Sequence, residues 1–134
     1  NIAWQVGHLI VSRYYHAIAV IAKPDKEIFE RIPLKDYFPI YSMATKSTIN
    51  DLNPPPEQLL AELHIINTYA TTVLDGLTDA DLDLPLEPTR FPHPIAKTKY
   101  EALSWNFQHE MWHLGQISTL RRILGKPTNW QSFK

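Results

Sequence analysis

Residues 98–127, TKYEALSWNFQHEMWHLGQISTLRRILGKP, carry the clearest structural signal in the chain. Thr98 and Glu101 have the spacing of a capping box, in which two side chains satisfy unpaired backbone N–H groups at the start of a helix. Signals that end a helix close the stretch, namely Arg121, Arg122, Gly125 and Pro127. The pattern predicts one helix of about 24 residues, which would be roughly 40 Å long.

Two further stretches, residues 1–23 and 57–84, contain no proline and place apolar residues at helical spacing. Pro24 ends the first stretch, and Gly76 is a helix stop in the second. Residues 24–56 and 85–97 are predicted to be proline-rich connections. Short helices are predicted around Asp25–Arg31 and from Asp79. No strand-like alternation competes, so the fold class is all-α, with a helix bundle as the architecture.

The composition narrows the function classes. The chain has 134 residues, 44% hydrophobic and 20% charged, which suits one folded domain. Thirteen basic against fourteen acidic residues, with no basic block, predict neither a nucleic-acid nor a membrane partner. The absence of cysteine excludes disulfides and thiolate ligands and is typical of a reducing compartment. With no signal-peptide layout, a cytoplasmic location is expected.

Three histidines are candidate metal ligands. His109 and His113 stand four residues apart in the best-supported helix, so their imidazoles share one face at a spacing that suits one ion. The alternative is that they only pack and hydrogen-bond inside the bundle. His8, in the first stretch, could supply a third nitrogen, and three histidines leave a coordination position open as in catalytic sites. Large apolar side chains nearby predict a dry pocket: Trp105, Phe107, Met111, Trp112 and Leu114.

Residues 109–113 also match the zinc-protease pattern H-E-x-x-H, in which the glutamate acts on the attacking water. The wider context does not fit that class. No histidine stands six residues after His113, and no glutamate follows Glu110. No predicted sheet edge is available to hold a peptide. A zinc protease is therefore the least favoured alternative.

Two motifs together resemble the DinB-like superfamily: A-W-Q-V-G-H-L at residues 3–9 and H-E-M-W-H-L-G-Q at residues 109–116, followed by L-R-R-I-L-G. The resemblance spans nearly the whole chain. It implies an up-and-down four-helix bundle, often dimeric, with a divalent metal held by three histidines. Matched residue by residue, the metal ligands are His8, His109 and His113. Gly115 would then allow a close helix approach. Gln116 would hydrogen-bond near the site or across the bundle, or else simply cap a neighbouring backbone group.

The resemblance also implies a function. We expect a divalent-metal-dependent enzyme, with zinc or nickel, that activates a thiol or water for transfer or hydrolysis on a small-molecule substrate. Because the chain has no cysteine, a thiol would come from a low-molecular-weight cosubstrate. A homodimer is expected. The alternative is a non-catalytic, dimerising bundle with structural histidines.

Residues 1–134 are expected to form a single domain of this type. The family bundle has a complete helix before the W-x-x-G-H-L helix, whereas this chain shows three long helices, so the domain is expected to be N-terminally incomplete. Weaker site candidates near His8 are Ser12, Tyr14, Tyr15 and His16. His64 could face core or solvent, and His93 is predicted to lie in a loop. An acidic run is expected to be a solvated turn with helix-capping aspartates: Asp75, Asp79, Asp81 and Asp83.

Overall fold

The computed structural model describes residues 1–24, 26–42 and 53–126. Within these ranges the chain forms α1 (Ile2–Tyr14), a π-helical segment (Tyr15–Ala19), α2 (Glu27–Arg31), α3 (Leu34–Tyr41), α4 (Pro56–Asp75), α5 (Asp79–Leu82) and α6 (Lys99–Ile123). The described residues contain no β-strand, so the all-α prediction is confirmed. The three helices longer than ten residues in this part of the chain are the three long helices that the sequence predicts.

Helix α6 begins and ends as its signals indicate. The Thr98 hydroxyl accepts a hydrogen bond from the Glu101 backbone N–H at 3.2 Å, and the Glu101 carboxylate accepts from the Thr98 N–H at 3.3 Å. Gly125, just after the helix, has φ 69° and supplies the left-handed residue that favours glycine. The predicted proline stop at Pro127 lies outside the described residues. The capping box therefore fixes the start of this helix.

Helix α1 occupies the middle of the bundle and contacts α3, α4 and α6. Its apolar face packs against the stripe of α4, where Leu59, Ile66 and Ala70 are buried. Helix α4 starts at the third proline of its entry sequence and is followed by Gly76, as predicted. The short helices predicted near Arg31 and Asp79 are also present, as α2 and α5.

Helix α3 lies in a segment that the sequence predicts to be a connection. Pro33 precedes it and Pro39 lies inside it, and a proline within a helix removes one backbone N–H donor, so the sequence signal is that of a break. Gly7 lets this helix pack closely on α1, because a Cβ there would lie 2.5 Å from the ring of Tyr41. The close approach expected at Gly115 is wrong: that residue is exposed, and its Cβ would meet nothing within 4 Å.

Helix α6 buries a mainly polar face. Its buried residues recur every three or four positions: Lys99, Ala102, Asn106, His109 and His113. The apolar side chains of the expected dry pocket instead point mostly outward, with exposures of 52–67% for Phe107, Met111, Trp112 and Leu114. That pocket prediction is therefore wrong, except for the half-buried Trp105, whose ring lies 6.1 Å from that of His109. The described helices include none with the length and hydrophobicity needed to cross a bilayer.

Candidate metal centre

The three candidate ligand histidines converge at the contact between α1 and α6. The Nε2 atom of His109 lies 3.3 Å from Nε2 of His8 and 3.1 Å from Nε2 of His113. Each residue offers one nitrogen, and the three nitrogens lie within 4.8 Å of one another. All three side chains are buried, with exposures of 4–8%. The fold thus brings His8 to two histidines that lie about a hundred positions later in the sequence.

The hydrogen bonds on the far sides of two rings fix their tautomers. Nδ1 of His8 lies 2.6 Å from the backbone carbonyl of Tyr41, which can only accept, so this nitrogen carries the proton. Nδ1 of His113 donates in the same way to the side-chain oxygen of Gln5. Gln5 is itself oriented, because its amide nitrogen donates to the oxygen of Gln116 at 2.7 Å. The Nε2 atoms of His8 and His113 therefore present lone pairs to the centre.

The centre fits one divalent cation. Two nitrogens bound tetrahedrally to an ion at about 2.0–2.1 Å lie about 3.3–3.4 Å apart, close to the spacing observed here. A proton on Nε2 of His109 could satisfy at best one well-aligned hydrogen bond, whereas a cation would satisfy all three lone pairs. Nδ1 of His109 is buried without a hydrogen-bond partner among the described residues, as is Oδ1 of Asn106 one turn earlier. A cation at Nε2 would place the His109 proton on that Nδ1 atom.

Burial keeps the imidazoles neutral, which is the form that binds metal. Desolvation lowers the pKa of His8 and of His109 below the usual 6.5. For His113, desolvation and then the neighbouring His8 and His109 lower the pKa to about 4. The three rings are therefore uncharged at neutral pH.

Glu110, the acid of the H-E-x-x-H match, is held in an ion pair. Its two carboxylate oxygens accept from Arg13 of α1, one of them from Nε at 2.7 Å, and Nδ2 of Asn106 donates to it at 2.9 Å. Both oxygens of this carboxylate are therefore already occupied by hydrogen bonds to Arg13 and Asn106. The geometry gives no support to the zinc-protease alternative, and it shows Glu110 bracing α6 against α1.

A protein-family model described as the DinB superfamily matches residues 1–117, which include every residue of this centre. This chain belongs to the DinB superfamily. No curated protein and no solved structure is significantly similar to it.

In this member of the DinB superfamily, a second histidine cluster adjoins the first. Nδ1 of His16 lies 2.8 Å from Nε2 of His93, and the His16 ring is 5.7 Å from that of His109. Nδ1 of His93 accepts from the backbone N–H groups of Ile95 and Ala96, so its proton is on Nε2 and is donated to His16. His93 lies in a loop as predicted, but the sequence carries no signal that this loop reaches His16.

Other side chains around the centre of this DinB-superfamily protein support its shape. Trp4 of the W-x-x-G-H-L motif stacks on His8 with ring centroids 4.8 Å apart, and its indole N–H donates to the carbonyl of Ile40. Gln116 acts through Gln5, which agrees with its expected place near the site. Sequence reasoning missed Gln5 and the Tyr41 carbonyl.

The remaining sequence candidates lie outside the centre. The hydroxyl of Ser12 donates to the Leu9 carbonyl at 3.3 Å, and His64 is exposed. Asp81 caps α5 through the hydroxyl and backbone of Thr78, which lowers the pKa of its carboxyl, so the capping interpretation of the acidic run is confirmed at this residue. Tyr14 and Tyr15 line a different cavity, described below.

Proposed function

We propose that this protein is a divalent-metal-dependent enzyme acting on a small molecule, with His8, His109 and His113 as the metal ligands. The observation that carries the proposal is the convergence of three Nε2 atoms, two of which, on His8 and His113, have a tautomer that directs a lone pair to the centre. Among the described residues, no other His, Asp or Glu joins this group. Three protein ligands leave room for an exogenous one, as in catalytic rather than structural sites.

The protein's own groups hold and orient the site. A divalent ion bound by the three histidines would supply Lewis acidity, which lowers the pKa of a coordinated thiol or water. The Tyr41 carbonyl and Gln5 keep two imidazoles in the required tautomer, as outer partners do for metal-bound histidines. Because the chain has no cysteine, a thiol nucleophile has to be a small-molecule cosubstrate. Zinc and nickel both suit imidazole ligands.

An open groove beside the centre supports access by a small molecule. It has a volume of about 710 Å³, and its lining includes Gln5, Trp112 and Gln116. Gln5 is both a wall of this groove and the hydrogen-bond partner of His113. A ligand in the groove would therefore lie one side chain away from the histidines.

Cytoplasmic location is part of this proposal.

Two experiments test the proposal, the first on metal content and the second on reactivity. Untagged protein and its His113→Ala variant are loaded with zinc or nickel, dialysed and measured by elemental analysis. We expect about one ion per chain in the wild type and a large loss in the variant. Equal metal content in both would contradict the ligand assignment.

The loaded protein is then assayed with 4-nitrophenyl acetate for hydrolysis. Thiol transfer is assayed with cysteine as the thiol and 1-chloro-2,4-dinitrobenzene as the electrophile. We expect metal-dependent turnover in one of the two assays, lost in His113→Ala. Stoichiometric metal without turnover in either assay would favour the alternative below.

The second candidate is a non-catalytic, dimerising bundle, and the outward apolar side chains of α6 favour it. Phe107, Met111 and Trp112 expose more than half of their surfaces, and such patches often mark protein contacts. Homodimerisation is compatible with either candidate. Sedimentation of the wild type and of Trp112→Lys tests homodimerisation through this face of α6. A wild-type dimer that dissociates in the variant supports homodimerisation, and a monomeric wild type contradicts it.

A further inference from the structure

A cavity of about 630 Å³ lies away from the histidine triad, between the π-helical segment, α3 and residues 87–91. None of the three candidate metal ligands lines it. Its volume is in the range of sites that hold small organic ligands. Tyr15 and Ala19, the first and last residues of the π-helical segment, both line it. Short π-helical insertions are rare and occur frequently at functional sites.

Aromatic rings form much of the cavity wall. Tyr14, Tyr15, Phe38 and Phe91 contribute, from three separate parts of the chain. Tyr14 and Phe38 are packed edge to face at 6.0 Å, so this side of the wall is held by the core. Phe91 is 66% exposed, and the guanidinium of Arg90 lies over its ring at 5.3 Å from the centroid, which puts an aromatic ring and a cation side by side. Rings offset or edge-on to a planar ligand provide favourable contacts beyond burial alone.

Positive charge is concentrated on the same cavity. Lys23, Lys35 and Arg90 line it, each from a different segment. The one acidic side chain among its described lining residues is Glu87, whose carboxylate is paired with Lys99 at 3.1 Å. The whole chain carries a net charge of −1, so this local excess of cations departs from the average surface. A concave site lined by positively charged side chains favours an anionic ligand.

The loop that carries Arg90 and Phe91 is fixed in place by hydrogen bonds. The Phe91 carbonyl accepts from the hydroxyls of Tyr15 and Thr89, both at 2.7 Å. The Glu87 backbone N–H donates to the carbonyl of Val20, just after the π-helical segment, at 2.9 Å. A wall that is already ordered loses less entropy when a ligand binds.

We propose that this cavity binds a small aromatic carboxylate, with its planar body against the aromatic wall and its carboxylate towards Arg90, Lys35 and Lys23. The aromatic wall selects a planar body, and the cations select an acid over a neutral analogue. The site is independent of the proposed metal centre, since none of the three triad histidines lines the cavity.

Isothermal titration of the full chain with 2-naphthoate tests the proposal. We expect saturable binding of one ligand per chain, and binding at least about 5-fold weaker for the neutral analogue 2-naphthylmethanol and for the aliphatic acid octanoate. Arg90→Ala and Lys35→Ala should each weaken 2-naphthoate about 2- to 5-fold, the range for exposed charge pairs. Phe91→Ala, an exposed truncation that leaves the core intact, should also weaken it.

Matched controls separate the cavity from the other exposed apolar surface. Arg121→Ala and Arg122→Ala remove cations from the end of α6 and should leave 2-naphthoate affinity unchanged. His113→Ala should leave it unchanged as well, so failure of the metal proposal would not affect this result. The proposal would be overturned if 2-naphthylmethanol or octanoate bound as tightly as 2-naphthoate. It would also be overturned if the α6 control variants lost as much 2-naphthoate affinity as the cavity variants.

Discussion

The histidine triad (His8, His109 and His113) and the histidine pair (His16 and His93) lie side by side, yet their hydrogen bonds place the imidazole protons differently. In the pair, Nε2 of His93 donates to Nδ1 of His16, and the contact is complete with one proton. In the triad, three Nε2 atoms face one another, and the outer bonds of His8 and His113 leave lone pairs towards the centre. The contact within the pair is thus a donor facing an acceptor, whereas the triad presents lone pairs that a cation would satisfy.

The difference comes from which backbone or side-chain group meets each Nδ1 atom. Nδ1 of His8 and of His113 meets an oxygen that accepts, which places the proton on the outer nitrogen. Nδ1 of His93 meets two backbone N–H groups that donate, which places the proton on the inner nitrogen. An acceptor oxygen behind an imidazole thus leaves a lone pair on the inner nitrogen, whereas an N–H group behind it makes the inner nitrogen a hydrogen-bond donor.

The largest expected effect is the loss of a ligand from the triad. His113→Ala should weaken zinc or nickel binding by more than about 100-fold, since even outer partners of ligands contribute about 10- to 100-fold. His93→Ala is the matched change in the pair and should leave the affinity within a few fold. Competition with a chromophoric chelator measures both variants. Equal losses in the two would remove the distinction between the clusters.

The next effect concerns the group behind His113. Gln5→Leu removes the oxygen that fixes its tautomer and should weaken metal binding about 10- to 100-fold. Gln116→Leu, one hydrogen bond further out, should have a smaller effect. The same chelator competition gives the ratio. An unchanged affinity in Gln5→Leu would show that the tautomer is not set by this contact.

A smaller effect is expected at the packing that places the Tyr41 carbonyl behind His8. Gly7→Ala puts a Cβ 2.5 Å from the Tyr41 ring and should lower the free energy of unfolding by about 1–3 kcal/mol. Gly115→Ala is the matched control in open helical space and should be neutral or stabilising by up to about 1 kcal/mol. Urea unfolding of metal-free protein measures both. A Gly7→Ala variant as stable as the control would contradict the close packing.

The last effect is the pH dependence that the pair of His16 and His93 contributes. Burial, and then the neighbouring His93, lower the pKa of His16 to about 3 in the folded protein, against about 6.5 when unfolded. Between these values the unfolded state binds more protons, so stability falls as the pH falls from about 6.5. His16→Gln should reduce the slope of unfolding free energy of metal-free protein by up to about 1.4 kcal/mol per pH unit.

Gly115→Ala, which removes no titratable group, is the control for that slope, measured from urea midpoints between pH 7.5 and 4.5. Its slope should equal that of the wild type. A His16→Gln slope equal to both would mean that the pair does not resist protonation.

The sequence predicts most of the helices and the shared face of two of the three candidate ligands, because those features are local. Thr98 and Glu101 mark the start of α6 through contacts three residues apart, and His109 and His113 share a face through spacing alone. His8 depends on contact between helices a hundred residues apart, so the local pattern offers it only as a possible third nitrogen and the resemblance matches it to a ligand position. The sequence misses α3 because Pro39 has the signature of a break, although tertiary packing around Tyr41 maintains the helix.

The orientation of α6 is the other feature that local pattern could not give. Apolar side chains are spread around the whole circumference of this helix, so their periodicity does not indicate which face is buried. The burial of Asn106, His109 and His113, with Met111 and Trp112 outward, is decided by the polar partners on α1, namely His8, Gln5 and Arg13. Long-range hydrogen bonds thus determine the site more than hydrophobic periodicity does.

X-ray absorption at the metal edge of zinc-loaded, untagged protein tests the central claim most directly. We expect three imidazole nitrogens at about 2.0–2.1 Å in the wild type, with the remaining ligand being light and exogenous. The same three imidazoles should be found in His93→Ala. A wild-type spectrum with fewer than three imidazoles, or the loss of one in His93→Ala, would contradict the assignment of the triad as the metal centre.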